Sequence, residues 1–356
     1  MIVKNEALTL PRLAASVAGN VDFCTIVDTG STDATVDIAR RLFPVPGQFL
    51  EDEWHGFGAA RNVATRAAAG HSDWLLFLDA DETLDGGIDR SLLRADADGF
   101  ALARRSGGVL VWLPRLVASA RPWAWKGRTH EHLGLEGGRA PRFSRAQTPS
   151  ITHHGDGGSR ADKYERDLAL LDADWHDNEG DPRTAFYIAR TYDDMDRFEE
   201  AAAWYRRRLG LGGWDEERWF ASYRLGVCLI GAGSATDGRD WLQKAWQGRP
   251  YRAEPLAALA ECLRADCRWA EAWHACQTAF SSTAARPSGK GGVVTDSIFV
   301  EEDTYRWRVA YEASIAAWYV GERKAGLALC DFLLAAEGVP EVARRAVEAN
   351  RPFYSK

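Results

Sequence analysis

A chain of 356 residues, 46% hydrophobic and 27% charged, has room for about two domains with substantial cores. A net charge of −7 excludes the broad basic footprint of a general nucleic-acid binder, although 37 arginines against 7 lysines leave room for a local arginine-lined diphosphate site. No apolar run approaches the ~20 residues of a membrane-spanning helix, and six cysteines without a CxxC pair read as buried thiols, so a cytoplasmic protein is expected.

In chain order, "MIVK" reads as a strand starting at Met1, which would leave no space for a signal peptide. A helical pattern runs through Leu8, Leu10, Leu13 and Val17, "FCTIVD" is a second strand, and "DATVDIARRLF" a second helix. "FGAARNVATRAAAG" is a third helix with Gly70 as its C-terminal cap, and "DWLLFLD" the next strand. Alternation of this kind predicts a largely parallel sheet covered on both faces, with ligands bound beyond the carboxyl ends of the strands. Asn5 and Glu6, Asp28 to Asp33, and Asp79 to Glu82 then share one edge. Residues 86–162 hold strand-like "GFALARR" and "GVLVWLPRLV", the polar segment "WKGRTHEHL", and "ITHHGDGGSRAD", whose glycine-rich end is the expected linker. The domains are therefore placed at 1–158 and 159–356.

From about residue 163 the pattern is helical throughout. With Ala189, Gly226, Ala260 and Ala316 as equivalents, the preceding residues are Ile188, Leu225, Leu259 and Ile315. Twelve residues further stand Ala201, Gly238, Ala272 and Ala328, and sixteen further Tyr205, Leu242, Cys276 and Phe332. The last interval contains the insertion "RPSGKGG". Alternating small and large positions at this spacing resemble the ~34-residue tetratricopeptide (TPR) repeat, with an irregular helical bundle as the alternative.

"WLLFLDADET" delivers Asp79, Asp81 and Glu82 to one strand end, where crowded carboxylates resist joint ionisation unless a cation or proton is shared. Two chemistries compete. A haloacid-dehalogenase-like phosphatase would use Asp79 as nucleophile and Asp81 as acid/base, and would need a later acidic pair; Asp193 and Asp194 are the adjacent aspartates available. Alternatively, "MIVKNE", "IVDTGSTDAT", "FGAARN" and "DWLLFLDADE", followed by "GRTHEHL" and "ITHHG", resemble family 2 glycosyltransferases of the GT-A fold. "DPRTAFYIARTYDDMDRFEEAAAWY" and "RPYRAEPL" extend the likeness to the subgroup with a TPR-like tail.

The resemblance implies an α/β GT-A (nucleotide-diphospho-sugar transferase) domain with a Rossmann-like mixed sheet, followed by an all-α TPR-like domain. It also implies an inverting, Mn2+- or Mg2+-dependent transferase using a nucleotide sugar, UDP-sugar first among the donors. Asp81, Asp79 and His153 are the expected metal ligands, with His154 one residue away as the competitor. Lys4, Asn5, Glu6, Asp28, Gly30, Ser31, Arg61, Asn62, Asp79 and Ala80 are the expected nucleotide-sugar contacts. Asp28 has a helix-capping alternative, shared with Thr32 and Asp33. Glu131 is the expected catalytic base, against a structural pair with Arg128. Trp123 and Trp125 are assigned to a sugar platform or to the core. The acceptor is open between a protein or peptide, a small molecule and a cell-surface precursor; a homodimer and a non-catalytic scaffold are also left open.

Overall fold

A computed structural model describes the chain apart from residues 44, 92, 94–96, 158–162, 283–284, 286–293 and 355–356. It forms two compact units, Met1–Glu179 and Gly180–Lys356. The expected join at 158/159 and the insertion at 286–292 lie outside the described residues.

In the first unit, β1 (Ile2–Val3), β2 (Cys24–Asp28) and β3 (Gly47–Glu51) pair in parallel, joined through α1 (Leu10–Val17) and α2 (Thr35–Leu42). Leu10, Leu13 and Val17 are buried against this sheet, but Leu8 precedes the helix and is exposed. Helix α3 (Phe57–Ala68) ends at Ala69 with Gly70 at φ 84°, as the cap pattern requires. The chain continues through β4 (Trp74–Leu76), β5 (Glu82–Asp85), β6 (Gly99–Ser106) and β7 (Val109–Ala118). Then come β8 (Trp123–Lys126), β9 (His132–Leu135), β10 (Phe143–Arg145) and β11 (Ser150–His153).

The expectation of a largely parallel sheet holds for β1–β3 and fails after β4. Gly107 and Gly108, at φ 53° and 80°, close a two-residue turn with Ser106 opposite Val109, so β6 and β7 must run antiparallel. Strand β11 lies between β6, parallel to it, and β5, antiparallel, while β4 pairs antiparallel with β7. This mixed order brings β5, β7 and β11 beside the end of β4. Trp123 and Trp125 are buried with Leu75, Phe77, Leu133 and Leu135, so they are core residues and not a sugar platform.

Helix α4 (Lys163–Asp177) belongs to the first unit, not to the helical part as expected. The reason is electrostatic and local: Asp174 accepts from the backbone N–H (2.9 Å) and guanidinium (2.6 Å) of Arg128, and Asp177 pairs with the same side chain at 2.8 Å. Arg128 is thereby occupied away from Glu131.

The second unit consists of α5 (Pro182–Asp194), α6 (Phe198–Gly210), α7 (Asp215–Gly231), α8 (Ala235–Gly248), α9 (Glu254–Ala265) and α10 (Trp269–Ser282). After the insertion come a π-helical turn (Thr304–Arg308), α11 (Val309–Tyr319), α12 (Arg323–Ala335) and α13 (Glu341–Tyr354). Each helix packs on the next within α5–α10 and again within α11–α13. The small positions are where backbones approach: a Cβ at Gly226 would sit 2.9 Å from Leu242, and one at Gly238 2.6 Å from Ile230. Ala201, Gly238 and Ala272 are each the fourth residue of their helix, and Tyr205, Leu242 and Cys276 below them are buried.

The fourth repeat departs from the sequence register. Ala328 is exposed and Phe332 half-buried; the fourth residue of α12 is Gly326, whose added Cβ would meet Tyr354 at 2.2 Å, and Cys330 fills the large position. The equivalent of Ala189 is accordingly the buried Ser314, two residues before Ala316. Because α11 buries Ala313, Ser314, Ala316 and Ala317 together, several residues fit the small position and the sequence alone cannot choose among them. All six cysteines are free, five of them buried. Among the described residues, no helix is long and apolar enough to cross a membrane.

A Cβ at Gly58 would lie 2.3 Å from the carbonyl oxygen of Gly127, whereas one at Gly210, the last residue of α6, meets nothing within 4 Å. Gly58→Ala should therefore lower unfolding stability by about 1–3 kcal/mol in urea titrations. Gly210→Ala should leave it unchanged or raise it by up to ~1 kcal/mol.

Candidate functional site

The site is built from the loops after β1 and β2, the start of α3, the end of β4 and the segments around Glu131 and His153. The first two loops are stitched together: Asn5 N–H donates to Ser31 Oγ (2.9 Å), Thr32 N–H to Asn5 Oδ1 (2.8 Å), and Glu6 N–H to Thr35 Oγ1 (2.7 Å). Asp28, buried at the end of β2, accepts from the N–H groups of Gly30 (3.1 Å) and Ser31 (3.0 Å) and from the Ser31 hydroxyl. Its carboxylate thus shapes the "TGS" turn rather than facing outward as a base reader. The N-cap of α2 is Ala34 rather than Thr32 or Asp33; Asp33, one residue earlier, accepts from the Thr35 N–H (3.0 Å). Lys4 is exposed, and the Ala80 side chain points into the core.

The strand-end acids separate into three environments. Asp79 Oδ1 accepts from Arg61 Nη2 (2.5 Å) and Oδ2 from Arg115 Nη2 (3.3 Å). Glu82 has no solvent exposure; it accepts from Arg104 Nε (2.6 Å), Arg115 Nη2 (3.1 Å) and Asp79 N–H (2.9 Å). Burial pushes the Asp79 carboxyl upward, but Arg61 and Arg115 outweigh it and hold the group well below the usual carboxylate range. With both oxygens on arginine, Asp79 is a poor metal ligand, and the expected Asp79–Asp81–His153 set does not assemble. Among the described residues, no group of three or more His, Cys, Asp or Glu side chains is arranged to hold a metal ion.

Asp81 faces a different partner. His153 Nδ1 lies 3.4 Å from Asp81 Oδ1, and among the described residues this buried nitrogen has no other polar partner. Burial raises the Asp81 carboxyl and the histidine contact and the Gly157 N–H lower it, leaving a net depression. A Cβ at Gly157 would lie 3.2 Å from Asp81 Oδ2 and 3.0 Å from Glu6 Oε1, so both acids border this residue. His154 instead sets its Nε2 3.0 Å from Thr83 Oγ1, which leaves His153 as the histidine facing the site.

Arg61 is the hub. Its Nε donates to Glu131 Oε1, its Nη2 reaches Asp79, and its guanidinium lies 5.1 Å from the Trp125 ring centre. Burial disfavours its charge, but Asp79 and Glu131 more than offset this and keep it cationic. The neighbouring Asn62 does not face the site: its amide donates to the Trp125 carbonyl (2.9 Å) and accepts from the Trp125 N–H (2.8 Å), fastening β8 to α3. The sequence reading missed Arg104 and Arg115. For Arg115 the signal was a lone charge inside the otherwise apolar "VWLPRLV"; Arg104, followed by Arg105 and Ser106 at the polar end of β6, carried no such signal. The phosphatase alternative loses its parts, since Asp193 is buried on α5 and held by Arg224 at 2.7 Å.

A family model described as Glycosyl transferase family 2 matches residues 1–118. A TPR repeat-containing protein of Synechococcus elongatus is 48% identical over 85 residues, covering 24% of this chain and 20% of that protein. An uncharacterized glycosyltransferase of Rickettsia felis is 37% identical over 84 residues, covering 24% and 28% respectively. The chain thus spans between 20% and 28% of the length of these relatives. Among solved structures, YrrB, described as a TPR protein with an unusual peptide-binding site, matches 53% of this chain and 86% of its own at 16% identity and a TM-score of 0.38. The C-terminal part of a TPR repeat-containing protein from Cytophaga hutchinsonii matches 55% and 70% at 13% identity and a TM-score of 0.42.

The different environments of Asp79 and Asp81 make a stability prediction. Asp79→Asn leaves two buried arginines short of a counter-charge and should destabilise by about 3–5 kcal/mol at neutral pH. Because the folded carboxyl is depressed, its contribution is complete above the unfolded value near ~3.9 and is lost as pH falls toward the folded value. The gap between parent and variant in chemical denaturation should therefore narrow below about pH 4. Asp81→Asn should cost under about 1 kcal/mol, since no buried arginine depends on it.

Proposed function

Starting from a Glycosyl transferase family 2 domain at residues 1–118, we propose that the protein is an inverting glycosyltransferase that uses a nucleotide-diphosphate sugar, UDP-sugar first. The observation that carries this reading is the pairing of Asp81 with the buried His153 Nδ1 at 3.4 Å, a nitrogen with no closer polar partner among the described residues, in the unit where Glu131 stands beside the strand-end acids. A 3.4 Å separation is close to the roughly 3 Å edge of an octahedron built on ~2.1 Å metal–ligand distances, so the two groups fit Mn2+ or Mg2+. Held by Asp81 and His153, such an ion would neutralise charge growing on the diphosphate as the glycosidic bond breaks.

The remaining roles fall to this chain's own groups. The loops joined by Asn5, Glu6, Ser31 and Thr32 form the rim on which a nucleotide would lie. Asp28 supports that rim from beneath, and the Gly30 loop keeps it open. Glu131 accepts the acceptor's proton while the acceptor displaces the diphosphate from the opposite face of the sugar. Helical repeats commonly offer extended binding surfaces, which supports a protein or peptide acceptor.

Calorimetry with UDP, GDP and dTDP, each with and without Mn2+, tests the donor site. UDP should bind the parent in Mn2+ and bind Asp81→Ala at least ~10-fold more weakly; equal affinities for all three nucleotides in both proteins would reject the metal assignment. Glu131→Gln should retain UDP binding while donor turnover falls by roughly 10²-fold or more.

A further inference from the structure

We infer that Arg61 is a positioning residue that sets the catalytic base from the donor side, one buried guanidinium holding both Asp79 and Glu131. This rests on the assignment of Glu131 as base. The geometry is specific: Nε points to Glu131 Oε1 and Nη2 to Asp79 Oδ1, so the two acids are spaced by the fork of a single planar group. The guanidinium lies 5.1 Å from the ring centre of Trp125, whose indole N–H is tied to Thr65 Oγ1 at 3.2 Å. The Arg61 side chain is 10% exposed and that of Glu131 11%, so the pair is largely shielded from water.

The arrangement assigns separate duties to the two carboxylate oxygens of Glu131. Oε1 is taken by Arg61, which leaves Oε2 to receive the proton. As the acceptor oxygen bonds to the anomeric carbon, the bond from that carbon to the diphosphate oxygen breaks, and the acceptor proton passes to Oε2. Glu131 becomes neutral in the same step in which negative charge accumulates on the leaving diphosphate. Arg61 then has one anionic partner fewer, and its positive charge is balanced by Asp79 alone of the two. A lysine could carry the charge, but its single ammonium cannot span both acids in this geometry.

A double-mutant cycle with Arg61→Lys and Glu131→Gln tests this, reading UDP release from UDP-glucose or UDP-N-acetylglucosamine, whichever the parent hydrolyses faster, and UDP·Mn2+ affinity by calorimetry. Arg61→Lys should lower kcat by at least ~10-fold, with KM and UDP affinity within ~3-fold of the parent. Glu131→Gln should lower kcat by roughly 10²-fold, and adding Arg61→Lys to it should lower kcat by no more than ~3-fold further. Multiplying losses in the double variant would overturn the coupling, as would an Arg61→Lys defect confined to UDP affinity. Normal turnover by Glu131→Gln would overturn the base assignment and this inference with it. Should Arg61→Lys fail to fold by circular dichroism, Arg61→Gln, which keeps hydrogen-bond donors without the charge, completes the same cycle.

Discussion

A guanidinium buried between two carboxylates is the constraint on which the first unit's functional edge depends. Charge removed from water at Arg61 is tolerable because Asp79 and Glu131 both meet it, and each acid is tolerable because Arg61 is there. The surrounding structure serves that meeting. Glycine at 58 lets α3 press against the Gly127 carbonyl, Phe57 N–H donates to the Arg128 carbonyl at 2.9 Å, and Asn62 clips the Trp125 backbone. Adjacent residues of "GFGAARN" thus perform distinct mechanical tasks: close approach, counter-charge and strand attachment.

The crowding of Asp79, Asp81 and Glu82 is resolved by separate cations rather than by one shared ion. Glu82 and Asp79 are neutralised from β6, β7 and α3 by Arg104, Arg115 and Arg61, which form a permanent internal counter-ion shell. Asp81 is turned away from these arginines toward His153, and of the three acids it alone faces a histidine. Of the "DADE" run, Asp81 alone is left without an arginine partner among those three, while Asp79 and Glu82 hold the turn in place. Strand β11 ends opposite the start of β5, and pairing His153 with Glu82 in the β-ladder places the histidine beside the Asp81 turn.

Much of this was legible in the sequence, and the failures have identifiable causes. Strand–helix alternation located β1, β2, α1, α2 and α3, because each carries a regular apolar period and turn residues at its ends. Strand β3 was not read: it starts at Gly47 after "PVP", and none of its five residues is buried, so its pattern is weak. The site's members were readable as residue types, but their orientation was not. Asn62 and Arg61 are neighbours in a polar motif, and only the rotation of α3 decides that one binds backbone and the other binds acids. The partners supplied by Arg104 and Arg115 come from strands more than twenty residues away, a separation over which single-sequence patterns give no pairing information. In the second unit, small residues marked the helix contacts in three repeats and misled in the fourth, where α11 offers several buried small side chains in succession.

Under the proposed function, Asp81 and not Asp79 is the carboxylate through which a divalent ion would join this protein to a nucleotide diphosphate. Electron paramagnetic resonance of Mn2+ reads that step directly, because the signal of the free hydrated ion is lost when the ion is bound. With parent protein, adding UDP should deplete the free-ion signal beyond what UDP alone removes. With Asp81→Asn the depletion should match UDP alone, while the protein remains folded. Undiminished Mn2+ uptake by Asp81→Asn in the presence of UDP would mean that Asp81 does not hold the ion.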